Sequence, residues 1–197
     1  MDSIEKIISL FHASIEARAS HGEQLAHQLA SASELMANTF VNDGRVLLCG
    51  YASAAISAQH FATALLNQGS RERPGLPAQL LDANPALLAA IGQSYGVNEV
   101  FSRQVQTFGR SGDLLVMYTT SDSSQSLINA LQAAHEKNMR VILFSGNDGG
   151  HVAQLLDAND IEIRAPVTSE FLTHELHLLM SFVLCDLIDD HLFGERA

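Results

Sequence analysis

Five short, continuous apolar runs punctuate this 197-residue chain at helix-length intervals: RVLLCG (45–50), PAQLLD (77–82), DLLVMYTT (113–120), RVILFSG (140–146) and IEIRAP (161–166). An apolar run without alternation is what a strand looks like when helices cover both of its faces. The intervening segments supply those helices: one over 54–67, one or two over 85–108, one over 124–138 and a short one over 151–157. The alternation predicts an α/β fold, a doubly wound parallel sheet of about five strands with right-handed crossovers.

The two ends of the chain are helical. Ile4, Ile7, Ile8, Phe11 and Ile15 form one stripe with three- and four-residue spacing, the mark of an amphipathic helix. A second helix is expected from about 23 to 41, with Leu25, Leu29, Leu35 and Phe40 among its apolar positions, ending at Asn42-Asp43-Gly44 with Gly44 as its left-handed cap. Two helices should therefore precede the first strand. The segment from 170 to about 191 is apolar almost all round, through Leu172, Leu176, Leu178, Leu179, Phe182, Val183, Leu184, Leu187 and Ile188. It should be a buried helix, in part against another subunit. With no repeat, low-complexity stretch or linker, the chain is expected to be one domain, 1–197, with a helical extension over 1–43 and the α/β core and last helix over 44–197.

Charge removes some functions. Eleven Lys and Arg against 22 Asp and Glu give a formal net charge of −11, which repels nucleic acid and anionic membranes. Hydrophobic residues make up 47% and charged ones 17%, thin cover for a monomer's surface and a pointer to an oligomer. No apolar run reaches the roughly 18 to 20 residues that cross a bilayer. Asp2, Glu5 and Glu16 break the pattern of a secretory leader, so a cytoplasmic protein is expected. Cys49 and Cys185 are far apart, in apolar sequence and outside any metal-type spacing, and read as buried thiols.

In an open parallel sheet a ligand binds beyond the carboxyl ends of the strands, where strand order switches. The loops to consider follow Cys49 and Tyr118. The second, from Thr119 through Ser126, holds six hydroxyl residues in eight positions. Hydroxyls and backbone amides at a helix start can cradle a phosphate, although the same residues also make an ordinary helix cap. Asp122 opposes an anion: a carboxylate about 5 Å from a phosphate costs roughly 3 kcal/mol at an effective dielectric of 20, so it must face solvent. The first loop, Gly50-Tyr51-Ala52-Ser53-Ala54-Ala55, fits neither the dinucleotide nor the P-loop pattern.

The run RVLLCGYASAAISAQHFATALLN, then RERPGLPA, SYGVNEVFSRQV, GRSGDLLVMYTTSDSS, FSGNDGG, IEIRAP and HELHLL…LCDLID, resembles the sugar isomerase (SIS) domain family over essentially the whole chain. It looks closest to the bacterial phosphoheptose isomerases and their non-enzymatic relatives that associate with the replication initiator DnaA. The resemblance implies a flavodoxin-like five-stranded sheet, two N-terminal helices, a homotetramer and a sugar-phosphate pocket between subunits. It points to Gly50, Ser53, Thr119, Thr120, Ser121 and Ser124 as ligand-binding residues.

The isomerases of that family use a His and, four residues on, a Glu on the helix after the first strand, with a Gln and a His on the last helix, in a site that can hold zinc. Here His60 is present, but the Glu position is Ala64, the Gln position His174 and the last His position Phe182. An expected Arg reads Gln68, an Asn-Asp pair reads Gln93-Ser94, and the phosphate Ser of the first loop reads Ala54. His60, Gln68, Ser94 and His174 thus resemble a vestigial pocket without catalytic residues, and no metal is expected: tetrahedral zinc wants four ligands or three plus water, and His60, His174 and His177 lack zinc-protease spacing, His174 and His177 facing partly different directions.

The ending DLIDDHLFGERA places Leu192 and Phe193 behind two acids, either docked on their own subunit or exposed to a partner. The leading expectation is a catalytically silent homotetrameric scaffold that binds DnaA through Leu192 and Phe193. The alternatives are an isomerase of sedoheptulose 7-phosphate serving lipopolysaccharide heptose synthesis, and a phosphosugar sensor without turnover.

Overall fold

A computed structural model describes residues 2–81, 84–120 and 124–195. In chain order the elements are α1 (Ser3–Val41), β1 (Val46–Gly50), α2 (Ala55–Leu66), β2 (Ala78–Leu80), α3 (Pro85–Ser94), α4 (Val100–Phe108), β3 (Leu114–Tyr118), α5 (Gln125–Glu136), β4 (Arg140–Gly146), α6 (Gly150–Ala153), β5 (Ile161–Ala165) and α7 (Glu170–Phe193). All strand pairs are parallel and the order is β2-β1-β3-β4-β5. Every expected strand is present.

Side chains alternate across a strand, so each apolar run feeds two cores. Val46, Leu48, Val116, Tyr118, Ile142 and Phe144 join α1, α2 and α7 on one face. Leu47, Cys49, Leu115, Met117, Val141 and Leu143 join α3, α4 and α5 on the other. Both cysteines are buried thiols.

The N-terminal region departs from expectation. One 39-residue helix replaces two. Asp2 and Glu5 form a reciprocal capping box at its start, which satisfies amides that would otherwise go unpaired. The 20–22 stretch holds no proline, and a mid-helix glycine costs only about 1 kcal/mol relative to alanine, so Gly22 does not break the rod. Ile4, Ile7, Ile8, Phe11 and Ile15 remain exposed, while the C-terminal half of α1 packs on α7 and β5. At the end of this helix the left-handed residue is Asp43, at φ 59°, rather than Gly44. Gly44 is needed for a different reason: a Cβ there would lie 2.8 Å from the Gly112 carbonyl oxygen.

α7 has a span that is apolar and long enough to cross a membrane, with mean hydropathy 1.5. In this fold it is a core helix with one open side. Thr173, Leu176, His177, Met180, Ser181, Leu184, Cys185, Ile188 and Asp189 face inward, while Phe171, Leu179, Phe182 and Val183 are exposed. Across the sheet, His135, at the end of α5, donates through Nε2 to Asp160 at 2.7 Å. Asp160 also accepts the amides of Val141 and Asp157, clasping the turn before β5.

Candidate functional site

β1 lies between β2 and β3, so the chain leaves β1 toward one edge of the sheet and resumes on its other side. Such a switch point opens a crevice beyond the strand ends. Gly50 closes β1 where only glycine fits, since a Cβ would sit 2.6 Å from the Ala54 carbonyl oxygen. Ala52 follows at φ 50°, in the left-handed region that L-residues avoid. This turn carries Ser53 toward α7. Thr119 and Thr120 continue from the end of β3, and Ser169 caps α7 by accepting the Leu172 amide.

Glu170, in the first turn of α7, ties these loops together. Its Oε1 accepts the Ser53 hydroxyl at 2.9 Å and the Thr120 hydroxyl at 3.4 Å, and His174 Nε2 lies 3.7 Å from it. Sequence reasoning missed Glu170. An acid in the first turn of a helix reads as a complement to the helix dipole, and only the tertiary fold carries it to the two hydroxyls.

From there a groove runs along α2 and α7. On α7 it presents Glu170, His174, Leu178, Phe182 and Asp186, four residues apart, against Ser53, Ser57, His60, Ala64 and Gln68. Two clefts lie along it, one of about 290 Å³ around Ser53, Glu170, Phe171 and His174, the other of about 320 Å³ around His60, Ala64, Gln68 and Phe182. In the second, His60 stands edge-on to Phe182 with ring centroids 4.8 Å apart. Its Nε2 is buried and makes no hydrogen bond, a state that costs free energy until something pairs with it. A third cleft, of about 460 Å³ and mostly apolar, opens on the β2 side around Gly50, Tyr51, Gln59, Asn98 and Ser126.

The structure therefore brings Ser53, Thr120 and His174 around Glu170, and His60 and Gln68 beside Ala64 and Phe182. Other expected residues fall elsewhere. Ser94 lies in a separate cleft with Tyr95 and Arg103. Thr119 is buried. Ser124 is the N-cap of α5 without a side-chain bond to a helix amide, its hydroxyl instead meeting that of Ser126 at 2.6 Å. Ser121 and Asp122 lie outside the described residues. Leu192 packs on the core and Phe193 lies 5.6 Å beneath the Arg71 guanidinium, which also donates to the Gly194 carbonyl at 2.7 Å. Leu192 is thus half-buried on its own subunit, while Phe193 keeps 39% of its surface exposed.

His177, one turn beyond His174, belongs to the core. Its Nε2 donates to the Ser145 carbonyl at 3.0 Å, and its own carbonyl accepts the Ser181 hydroxyl, which pairs at 2.8 Å with the Tyr118 hydroxyl. Burial pushes the His177 pKa down to about 4, because a charged imidazolium loses its hydration there. Burial also pushes the Cys185 thiol up to about 12, so it is inert as a nucleophile.

Zinc does not fit this groove. Ala64 and Phe182 offer no donor, His60 and His174 line different clefts, and His177 is committed to the core. Among the described residues the one grouping of three metal-type side chains is His135, Asp157 and Asp160, on the other side of the sheet.

The strand order, the hydroxyls at the switch point and the groove beside them are those of a doubly wound α/β protein whose ligand sits at the carboxyl edge of the sheet. The chain belongs to the SIS domain family, whose signature matches residues 10–146. Phosphoheptose isomerase of Chromohalobacter salexigens is 42% identical over 98% of this chain and 98% of its own length. The structures of phosphoheptose isomerases from Francisella tularensis and Neisseria gonorrhoeae, each 37% identical, superpose with TM-scores of 0.92 and 0.89 and cover 96% of this chain and all of theirs. These relatives overturn the expectation of a catalytically silent DnaA-binding scaffold: the full-length similarity runs to enzymes of sugar-phosphate isomerisation.

Proposed function

We propose that this chain acts on a phosphorylated seven-carbon sugar and interconverts its ketose and aldose forms. The observation that carries the reading is the full-length, 42% identity to a phosphoheptose isomerase. It is supported by titratable side chains along one groove below a hydroxyl-lined switch point.

Isomerisation takes a proton from the carbon beside the carbonyl and returns one to the former carbonyl carbon, while the two oxygens exchange roles. The reaction needs a base near the carbons and a group at the oxygens. Ala64 and Phe182 can serve as neither. In this reading His60, with its unpaired Nε2 in the cleft beyond the hydroxyls, carries the proton transfer, and His174, with Glu170 beside it, stands at the phosphate end. Ser53 and Thr120 receive the phosphate, and no metal takes part.

The test is turnover of sedoheptulose 7-phosphate by the purified chain, with heptose 7-phosphate as the product to detect. Activity above a heat-killed control is expected, falling roughly a hundredfold or more in His60→Asn, the usual weight of a general acid or base. Turnover confined to an Ala64→Glu, Phe182→His double variant would sink the isomerase reading and leave a sugar-phosphate binder.

A homotetramer belongs to the same proposal. Its support is the apolar stripe of Ile4, Ile7, Ile8, Phe11 and Ile15, with Phe11 68% exposed, together with the open apolar side of α7. Ile8→Asp or Phe11→Asp should give smaller particles by light scattering, and an unchanged mass would remove α1 from the interface.

A further inference from the structure

We propose that Glu170 is the specificity-determining residue of the switch-point site: its carboxylate fills, from within the chain, the hydroxyl seat that would otherwise hold a ligand's phosphate. The inference rests on the phosphosugar reading and adds to it a competition at the phosphate seat.

The geometry is that of an anion already seated. Ser53 follows β1 and Thr120 follows β3, the two strands that flank the switch, and both hydroxyls donate to the same oxygen, Glu170 Oε1. A carboxylate is an acceptor only, and two donors converging on one of its oxygens are placed as they would be on a phosphate oxygen. A hydroxyl has one hydrogen to give. Neither can donate to an incoming phosphate while it donates to Glu170, and two anions at contact distance repel.

The seat is also reversible. Glu170 is on the first turn of α7, its side chain is 63% exposed, and among the described residues no Lys or Arg pairs with it. The side chain can turn outward to water without unwinding the helix. An uncharged sugar meets a different situation, because its hydroxyls can donate to the carboxylate while it stays in place. Glu170 thus sets the balance between phosphorylated and unphosphorylated ligands, and a phosphate binds only by displacing it.

The test is calorimetric titration of the full chain, as wild type, Glu170→Gln and Glu170→Ala, with inorganic phosphate, sedoheptulose 7-phosphate and sedoheptulose. Circular dichroism and thermal midpoints establish that the variants fold. The expected result is phosphate and sugar-phosphate affinity at least tenfold tighter in either variant, with sedoheptulose no tighter. Wild-type binding of sedoheptulose 7-phosphate that is unchanged or weakened in both variants would overturn the role of Glu170 and leave the phosphosugar reading standing. Absence of phosphate and sugar-phosphate binding in all three proteins would remove that reading and this inference together.

Discussion

The two faces of the sheet are built from the same strands and differ in what they bury. The face covered by α3, α4 and α5 closes over Leu47, Met117, Leu131, Val141 and Leu143, with small residues such as Ala130 and Ala134 letting α5 approach closely. That face also buries uncharged polar side chains, Ser102, Gln104 and Ser126; the face covered by α1, α2 and α7 buries a comparable apolar cluster and, besides Tyr118 and Ser181, an imidazole, His177, and an ion pair, Arg73 with Asp189. Its outer edge is the groove that holds His60, His174 and Glu170. Apolar packing is enough to hold a sheet and a helix together. Desolvated charged groups are retained at a cost, and here the Arg73 and Asp189 pair lies beside the candidate site.

The sharpest way to break the contrast is to remove Asp189. Arg73 Nε donates to its Oδ1 at 2.5 Å with both side chains almost wholly buried, and Arg73 also donates to the carbonyls of Ala64, Leu65 and Pro74. Asp189→Ala leaves a buried guanidinium without its counter-charge and should cost about 3 to 5 kcal/mol in urea unfolding. Because the same arginine clamps the end of α2, sugar-phosphate affinity should fall too. Leu131→Ala, in the opposite face, should cost about 3 kcal/mol as a cavity and leave affinity unchanged. Equal effects of both variants on binding would mean that the two faces do not divide the work. An Arg73→Met, Asp189→Leu double variant should recover most of the stability, since a well-packed apolar pair commonly replaces a buried ion pair at little cost.

His177 sharpens the comparison through pH. Its folded pKa is about 4 against an ordinary 6.5, so between those values the unfolded chain binds a proton that the folded chain refuses. The contribution is intact above pH 6.5 and declines as pH falls toward 4, by about 3 kcal/mol at most. Urea midpoints measured from pH 7 to 4.5 should therefore drop, and the drop should be shallower in His177→Gln, whose amide can still donate to the Ser145 carbonyl. An identical slope in the variant would assign the pH dependence to other groups.

How far the sequence carried the structure depends on the range of the forces involved. The strands were legible because continuous apolar runs leave no other place for them than a covered sheet, and β4 spans the expected 140–146. α1 was misread as two helices, since the cost of Gly22 is small beside the cooperativity of a long helix. His60, Ala64 and Phe182 share one cleft as the family resemblance implied. Glu170 was invisible: the two hydroxyls it accepts from are 117 and 50 residues away. That Arg71 is the side chain over the Phe193 ring was hidden for the same reason.

The smallest expected effect concerns the loop that delivers Ser53. Ala52 holds φ 50°, a conformation that costs an L-residue roughly 1 to 2 kcal/mol and glycine almost nothing. Ala52→Gly relieves that strain but gives the unfolded chain more freedom, worth about 0.4 to 1 kcal/mol in the opposite direction. The side chain is exposed, so little packing is lost with the methyl group. The balance should be a gain of under about 1 kcal/mol, seen as a rise of about 2 °C in the thermal midpoint. A gain in stability with weaker sugar-phosphate binding would show that the strained alanine stiffens the turn and holds Ser53 where Glu170 and a ligand compete for it. A loss of stability would mean that the turn is not strained, and that the polar edge of this face is as relaxed as the face behind it.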